Sequence, residues 1–128
     1  MDPIADMLTT LLNAQRVGKK RVVVPYSTFK KSLLDFLQQK GVIAACRVQE
    51  SSKAKLVVTL KYDDSEQPVL HGVRRFSKPG SRYYVGSTEI PYSYQGVGFV
   101  VISTSQGLKD EKQARREKIG GELVCAIW

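Results

Sequence analysis

Apolar residues recur at helical spacing at the start of the chain, where Ile4, Met7, Leu8, Leu11 and Leu12 share one face of a segment ending near Gln15. Asp2-Pro3 suits the opening of such a helix, an N-cap acceptor followed by proline at the first helical position. After the basic turn Arg16-Val17-Gly18-Lys19-Lys20-Arg21, the run Val22-Val23-Val24 predicts a short strand stopped by Pro25. Ser27 can cap a second helix with Phe29, Leu33, Phe36 and Leu37 on one side, and Gly41 marks its end. Val42–Val48 and Leu56–Tyr62 then read as two strands joined by the polar loop Gln49–Lys55.

The texture changes at Asp63–Pro68, a polar stretch ending in proline. Beyond it the pattern is of short strands, Val69–Phe76, Tyr83–Val85, Val97–Ile102 and Glu122–Ile127, separated by turns at Lys78-Pro79-Gly80 and Pro91. Asp110–Lys118 reads as a short polar helix capped by Asp110. The predicted fold class is α+β with two small subdomains. Residues 1–64 form a helix-strand-helix-strand-strand layer, and residues 65–128 a mainly antiparallel β subdomain with one short helix.

Charge changes the picture. Among 128 residues, 20 Lys and Arg face 12 Asp and Glu, a formal charge of +8 that points to a polyanionic partner. A basic protein without such a partner is the bland alternative. The cations cluster: Arg16, Lys19, Lys20, Arg21, Lys30 and Lys31 occur with no acid among them, as do Arg74, Arg75, Lys78 and Arg82. Such clusters keep their field and suit phosphate contacts, which give affinity without sequence information. Lys109, Lys112, Arg115, Arg116 and Lys118 alternate with Asp110, Glu111 and Glu117, the pattern of a solvated helix face. Phe76, Tyr83, Tyr84, Tyr92 and Tyr94 lie near arginines and offer stacking surfaces, of which one or two should be exposed, the rest facing a core.

Ser103-Thr104-Ser105-Gln106-Gly107 places three hydroxyls at the end of an apolar strand. They could reach ribose, base edges and phosphate together, or could bond only their own turn. Nothing else suggests a catalyst. No Gly-Lys-Ser/Thr phosphate loop is present, and His71, the single histidine, is tied by no spacing to a serine. Cys46 and Cys125 lack a C-x-x-C spacing and read as small buried hydrophobes, so neither a metal nor a cofactor is expected. The uncharged stretch Ile90–Leu108 is too polar to span a bilayer, and Asp2 and Asp6 stand where a secretory leader would be basic, so the sequence reads as a soluble protein.

Taken in order, several motifs resemble the family of small-subunit ribosomal protein eight over essentially the whole length. They are Asp2-Pro3-Ile4-Ala5-Asp6-Met7-Leu8, Asn13-Ala14, Ser77-Lys78-Pro79-Gly80, Gly96-x-Gly98 leading to Ser103-Thr104-Ser105, Ala114-Arg115, and Gly120-Gly121-Glu122-x-x-Cys125-x-x-Trp128. The Lys-Pro-Gly and Cys-x-x-Trp pieces look like the bacterial or organellar branch. The resemblance implies a non-enzymatic part of the small ribosomal subunit, in the bacterial cytoplasm or an organelle. Such a protein binds the central domain of small-subunit ribosomal RNA directly and supports assembly beside neighbouring small-subunit proteins. It leaves open a second role, since some bacterial members also repress their own operon's messenger RNA. No membrane and no small-molecule substrate is implied.

Carried over position by position, the resemblance assigns RNA contacts to Ser103, Thr104, Ser105, Gly121 and Glu122, with Lys78 and Tyr84 nearby. It adds Pro3, Asn13, Lys30 and Lys31 in the N-terminal part. Gly120-Gly121 would let backbone approach RNA, and Glu122 would accept from a base amino group or orient a neighbouring donor. The chain departs from the family at Thr10, Leu11, Leu12, Thr28 and Gln106, where basic residues are common, which shifts weight to the C-terminal surface.

Overall fold

The computed structural model describes residues 2–91 and 98–128. Tyr92, Tyr94, Gly96 and Val97, each part of an expectation above, lie outside them. The chain divides into two compact units, Pro3–His71 and a second made of Asp2 with Gly72–Trp128.

In the first unit, helix α1 (Pro3–Arg16) buries Ile4, Met7, Leu8 and Leu11 along the stripe read from the sequence, with Leu12 at its half-buried edge. Strand β1 (Arg21–Pro25), helix α2 (Thr28–Gln39), β2 (Ile43–Gln49) and β3 (Lys55–Leu60) follow. Ser27 caps α2, its hydroxyl accepting from the Lys30 amide at 3.1 Å. Gly41 ends it at φ +79°, a conformation that side chains resist. The buried side of α2 carries Leu33, Leu34, Phe36 and Leu37, whereas Phe29, expected there, is exposed. Phe29 shares the face of Leu33 and Phe36 by spacing but sits in the first turn of α2, at its end. The strands pair antiparallel in the order β1-β3-β2.

The unit runs past the expected boundary at residue 64, and Gln15 explains why. Buried at the end of α1, its amide donates to the Lys61 carbonyl at 2.7 Å and accepts from the Leu70 amide at 3.2 Å. Leu70 is thereby buried in this unit, and the strand expected over 69–76 shrinks to β4 (Val73–Arg75).

In the second unit β4 is followed by β5 (Tyr84–Val85), β6 (Phe99–Thr104), β7 (Gly107–Asp110), helix α3 (Glu111–Arg116) and β8 (Gly121–Ile127). The sheet order is β4-β8-β6-β7, with β5 also on β8 and every pairing antiparallel. Val100, Ile102, Leu123 and Ala126 pack with Ala114 of α3 and with Ile90, and Trp128 closes the cluster. Gly72 leaves the space its indole fills, since a Cβ there would lie 2.5 Å from the ring. Asp110 caps α3 as expected, accepting from the Gln113 amide at 2.7 Å. β7 is absent from the sequence expectation, and β6 extends through Ser103 and Thr104.

The helix face Lys109–Lys118 is less solvated than its charge pattern implies. Lys109 is buried against Glu117 at 3.1 Å, a contact that also holds the Glu117 carboxyl below its ordinary range. Glu111, only 1% exposed, accepts from the Val100 amide at 2.9 Å.

Cys125 is buried and its thiol is pushed up to about 12 by loss of solvation. Cys46 is half-buried, contrary to expectation, and burial raises it too, against the pull of Lys31. A thiol-alkylating reagent at about pH 8 should therefore leave Cys125 unmodified in the native protein, because its thiolate fraction is on the order of one in ten thousand. Cys46 should react slowly and both should react at once in denaturant. Equal native rates at the two positions would contradict these environments.

Candidate nucleic-acid interface

The register of the second sheet gathers residues that are distant in sequence. Glu122 of β8 stands opposite Tyr84 on one side and opposite Ser103 on the other. Directly opposed residues project to the same face, so Tyr84, Glu122 and Ser103 form one row across three strands, spanning about 10 Å. Tyr84 is 69% exposed, while Glu122 and Ser103 are half-buried. Ser105 lies beyond the row at the exposed tip of the β6–β7 hairpin.

The three hydroxyls do different things. Thr104 Oγ1 donates to the Gly107 carbonyl at 2.7 Å and accepts from the Gln106 amide at 3.1 Å, so it serves its own turn. The hydroxyls of Ser103 and Ser105 make no hydrogen bond among the described residues. Only Ser105 and Gln106 form the turn itself, and Gly107 completes it at φ +106°.

Glu122 accepts from Arg82 NH1 at 3.1 Å. The carboxylate therefore orients a guanidinium whose remaining N–H groups can meet an anion, and the cation offsets a charge that would otherwise repel phosphate. Gly121 has a different role from the one expected. A Cβ there would lie 2.2 Å from the Ser103 carbonyl oxygen, so this glycine lets β8 lie close against β6. Gly120 does the same toward β5, with Val85 O at 2.4 Å.

Lys78 is exposed and unpaired among the described residues, on a turn closed by reciprocal Lys78–Ser81 backbone bonds of 3.0 and 2.9 Å. Pro79 and Gly80 at φ +79° suit that turn. Its far end is fixed by Ser77, fully buried, whose hydroxyl accepts from the Tyr83 amide at 2.8 Å. Ser77 and Arg82 are missing from the sequence assignment, although Ser77 opens one of its motifs. Of the clustered aromatics, Tyr83 and Tyr84 are exposed, and Phe76 packs on the core beneath Arg74, whose guanidinium lies 5.4 Å from the ring centre.

In the first unit the assigned residues do not gather. Pro3 and Asn13 are exposed near opposite ends of α1, about 15 Å apart along its axis. Lys30 is only 8% exposed. Lys31 donates to both oxygens of Asp35 at 2.7 and 2.8 Å, a bond that raises its pKa. Neither lysine is the open cation that the sequence suggested. Thr10 donates back to the Asp6 carbonyl at 2.8 Å.

His71 is exposed and bonds to nothing among the described residues. No cluster of three or more potential metal ligands occurs among them, and no helix is long and apolar enough to cross a membrane.

A family model described as ribosomal protein S8 matches residues 2–128. The small ribosomal subunit protein uS8 of Thermus thermophilus is 44% identical, covering 99% of this chain and 98% of that protein. Its counterpart from Natranaerobius thermophilus is also 44% identical, over 99% and 97%, and that of Persephonella marina is 41% identical, over 99% and 98%.

Proposed function

The chain belongs to the ribosomal protein S8 family, and from that premise we propose that its second unit docks on folded small-subunit ribosomal RNA through the row Tyr84–Glu122–Ser103 and the hairpin tip at Ser105. As a family member it is a structural, non-enzymatic constituent of the small ribosomal subunit. The observation that carries the docking proposal is the pair of unbonded hydroxyls, Ser103 at the end of β6 and Ser105 in the turn after it, in the sheet that also presents an exposed Tyr84, with an oriented Arg82 just before β5.

Each group has a physical task. An irregular RNA helix displays unpaired bases and 2′-hydroxyls, which alcohol side chains can donate to and accept from. The Tyr84 ring offers a stacking surface, worth about 1–3 kcal/mol when a base occupies it. Arg82 and Lys78 supply phosphate contacts, which give affinity independent of sequence. Thr104 and Gly121 act indirectly, by shaping the hairpin and by bringing the strands together. The RNA is the central domain of the small-subunit ribosomal RNA, where binding supports assembly next to other small-subunit proteins. Pro3 and Asn13 add outlying contacts. Lys30 and Lys31 add little, one being buried and the other neutralised.

Replacing Ser105 by alanine should weaken binding to an in vitro transcribed central-domain fragment by about 1–3 kcal/mol and leave the melting temperature unchanged. An equal loss with random RNA of the same length would remove Ser105 from specific readout. A messenger segment folded like the ribosomal site would use the same row. Competition between the two RNAs for one protein molecule tests translational repression of the chain's own operon.

A further inference from the structure

The basic turn after α1 and one side of the first unit's sheet remain outside the docking row. Alternation along the strands assigns the two sides of that sheet. Val24, Leu56, Val58, Leu60 and Ile43 lie on the buried side, against the helices. The other side carries Arg21 and Val23 of β1, Lys55, Val57 and Thr59 of β3, and Ala45 and Arg47 of β2. Arg21, Lys55 and Arg47 are exposed there, and none has an ion pair or side-chain hydrogen bond among the described residues. Arg16 at the end of α1, and Lys19 and Lys20 on the turn leading into β1, are exposed and unpaired among the described residues in the same way.

The carboxylates of this unit do not answer them. Asp35 is held by Lys31, and Asp63 accepts from the Ser65 and Gln67 amides at 2.8 and 2.9 Å. Asp6 lies on α1, Glu50 on the β2–β3 loop, and Asp64 and Glu66 in the turn after β3. A solvated sheet face normally mixes both signs, because uncompensated like charges repel and destabilise the fold. Six cations kept without a partner therefore call for an anion from outside.

We propose that the α1–β1 turn and the open face of the β1-β3-β2 sheet form a second RNA-binding surface, which takes the sugar–phosphate backbone of a segment of the same ribosomal RNA. The proposal rests on the RNA-binding function put forward above. Register puts Arg21 level with Thr59 and Arg47 level with Val57, so strand spacing spreads Arg21, Lys55 and Arg47 over about 10 Å by 13 Å and each can meet a different phosphate. Arg21 and Arg47 can each clamp one through two N–H groups. The exposed apolar content is small: Val23 is 53% exposed, its cross-strand partner Val57 is covered at 5%, and Ala45 adds only a methyl group. A protein interface would have an aromatic or methionine-rich centre, which this face lacks.

The test uses the full chain and a transcribed central-domain fragment of bacterial small-subunit ribosomal RNA, with affinity measured against salt. One variant combines Lys19→Ala, Lys20→Ala and Arg21→Ala, and a second combines Arg47→Ala and Lys55→Ala. Each lost phosphate contact should flatten the log–log salt slope by about 0.7–0.9. Between about 50 and 200 mM salt, the triple variant should thus lose roughly 20–40-fold less affinity than the parent, at an unchanged melting temperature. Unchanged slopes in both variants, with Ser105→Ala still weakening specific binding, would remove this surface and leave the docking row standing. Unchanged slopes with no effect of Ser105→Ala would remove both. Variants that bind RNA normally yet fail to enter reconstituted subunits would overturn the RNA assignment, since the face would then meet a protein.

Discussion

Substituting alanine for Gly121 is expected to part β8 from β6 at the docking row and to lower both stability and RNA affinity. The new methyl carbon would lie 2.2 Å from the Ser103 carbonyl oxygen, 2.9 Å from its carbon and 3.2 Å from the Thr104 Cα. All three are backbone atoms, so no side-chain rotation can relieve the clash. Overpacking a core typically costs about 1–3 kcal/mol. A collision this deep, between two paired strands, belongs at or above the upper end. A loss of about 3 kcal/mol should lower the melting temperature by about 10 °C or more.

Displacing Ser103 from Glu122 should also weaken specific RNA binding by about 100-fold, while random RNA, held by phosphates, should suffer less. Thermal melting and RNA titration of the same preparation test both halves. A variant that melts like the parent but loses specific binding would show instead that Gly121 touches RNA directly. One that does neither would disprove the close approach of the strands.

Gly121 also marks where sequence reasoning reached its end. Its place in a Gly-Gly-Glu motif is visible in the sequence and implies a close approach, but to RNA, whereas the structure brings it against a neighbouring strand. Which backbone comes near is decided by register, and Ser103 lies far away along the chain. The same holds for the row itself: no spacing in the sequence reveals that Tyr84 and Ser103 flank Glu122. Helices were legible because their period is local. The stripe from Ile4 to Leu11, the cap at Ser27 and the stop at Gly41 each depend on neighbours within a turn or two.

Strand β7 was not legible, since Gly107-Leu108-Lys109-Asp110 is short and polar and exists by pairing with β6. Charge was legible as composition and misleading as position. Lys31 is neutralised by Asp35 one turn along α2, an i,i+4 spacing that is itself present in the sequence. Lys30 and Glu111 are buried by neighbours that only the fold supplies.

The second large effect should come from Arg75. Its guanidinium forks onto the Asp2 carboxylate, Nε to Oδ2 at 3.1 Å and NH2 to Oδ1 at 3.3 Å, and its NH1 donates to the Val124 carbonyl at 2.6 Å. The Arg75 side chain is only 9% exposed. Val124 is the residue where β8 slips register against β6, between Val101 and Ile102. Its carbonyl accepts from the Phe76 amide at 3.2 Å as well, so Arg75 helps hold the irregular point of the sheet.

Truncating Arg75 to alanine would take the forked guanidinium from a largely buried carboxylate, and breaking comparable pairs costs about 3–5 kcal/mol. Asp2→Ala alone should cost similarly, while Arg75→Ala with Asp2→Ala should cost distinctly less than the two added. That shortfall is the coupling a double-mutant cycle measures. Lysine at position 75 should restore only part of the loss, because one ammonium cannot span both carboxylate oxygens and the carbonyl. Denaturant unfolding of the four proteins provides the cycle. Strict additivity would mean that Asp2 and Arg75 contribute separately, and that the conspicuous Asp2-Pro3 opening serves only to start α1.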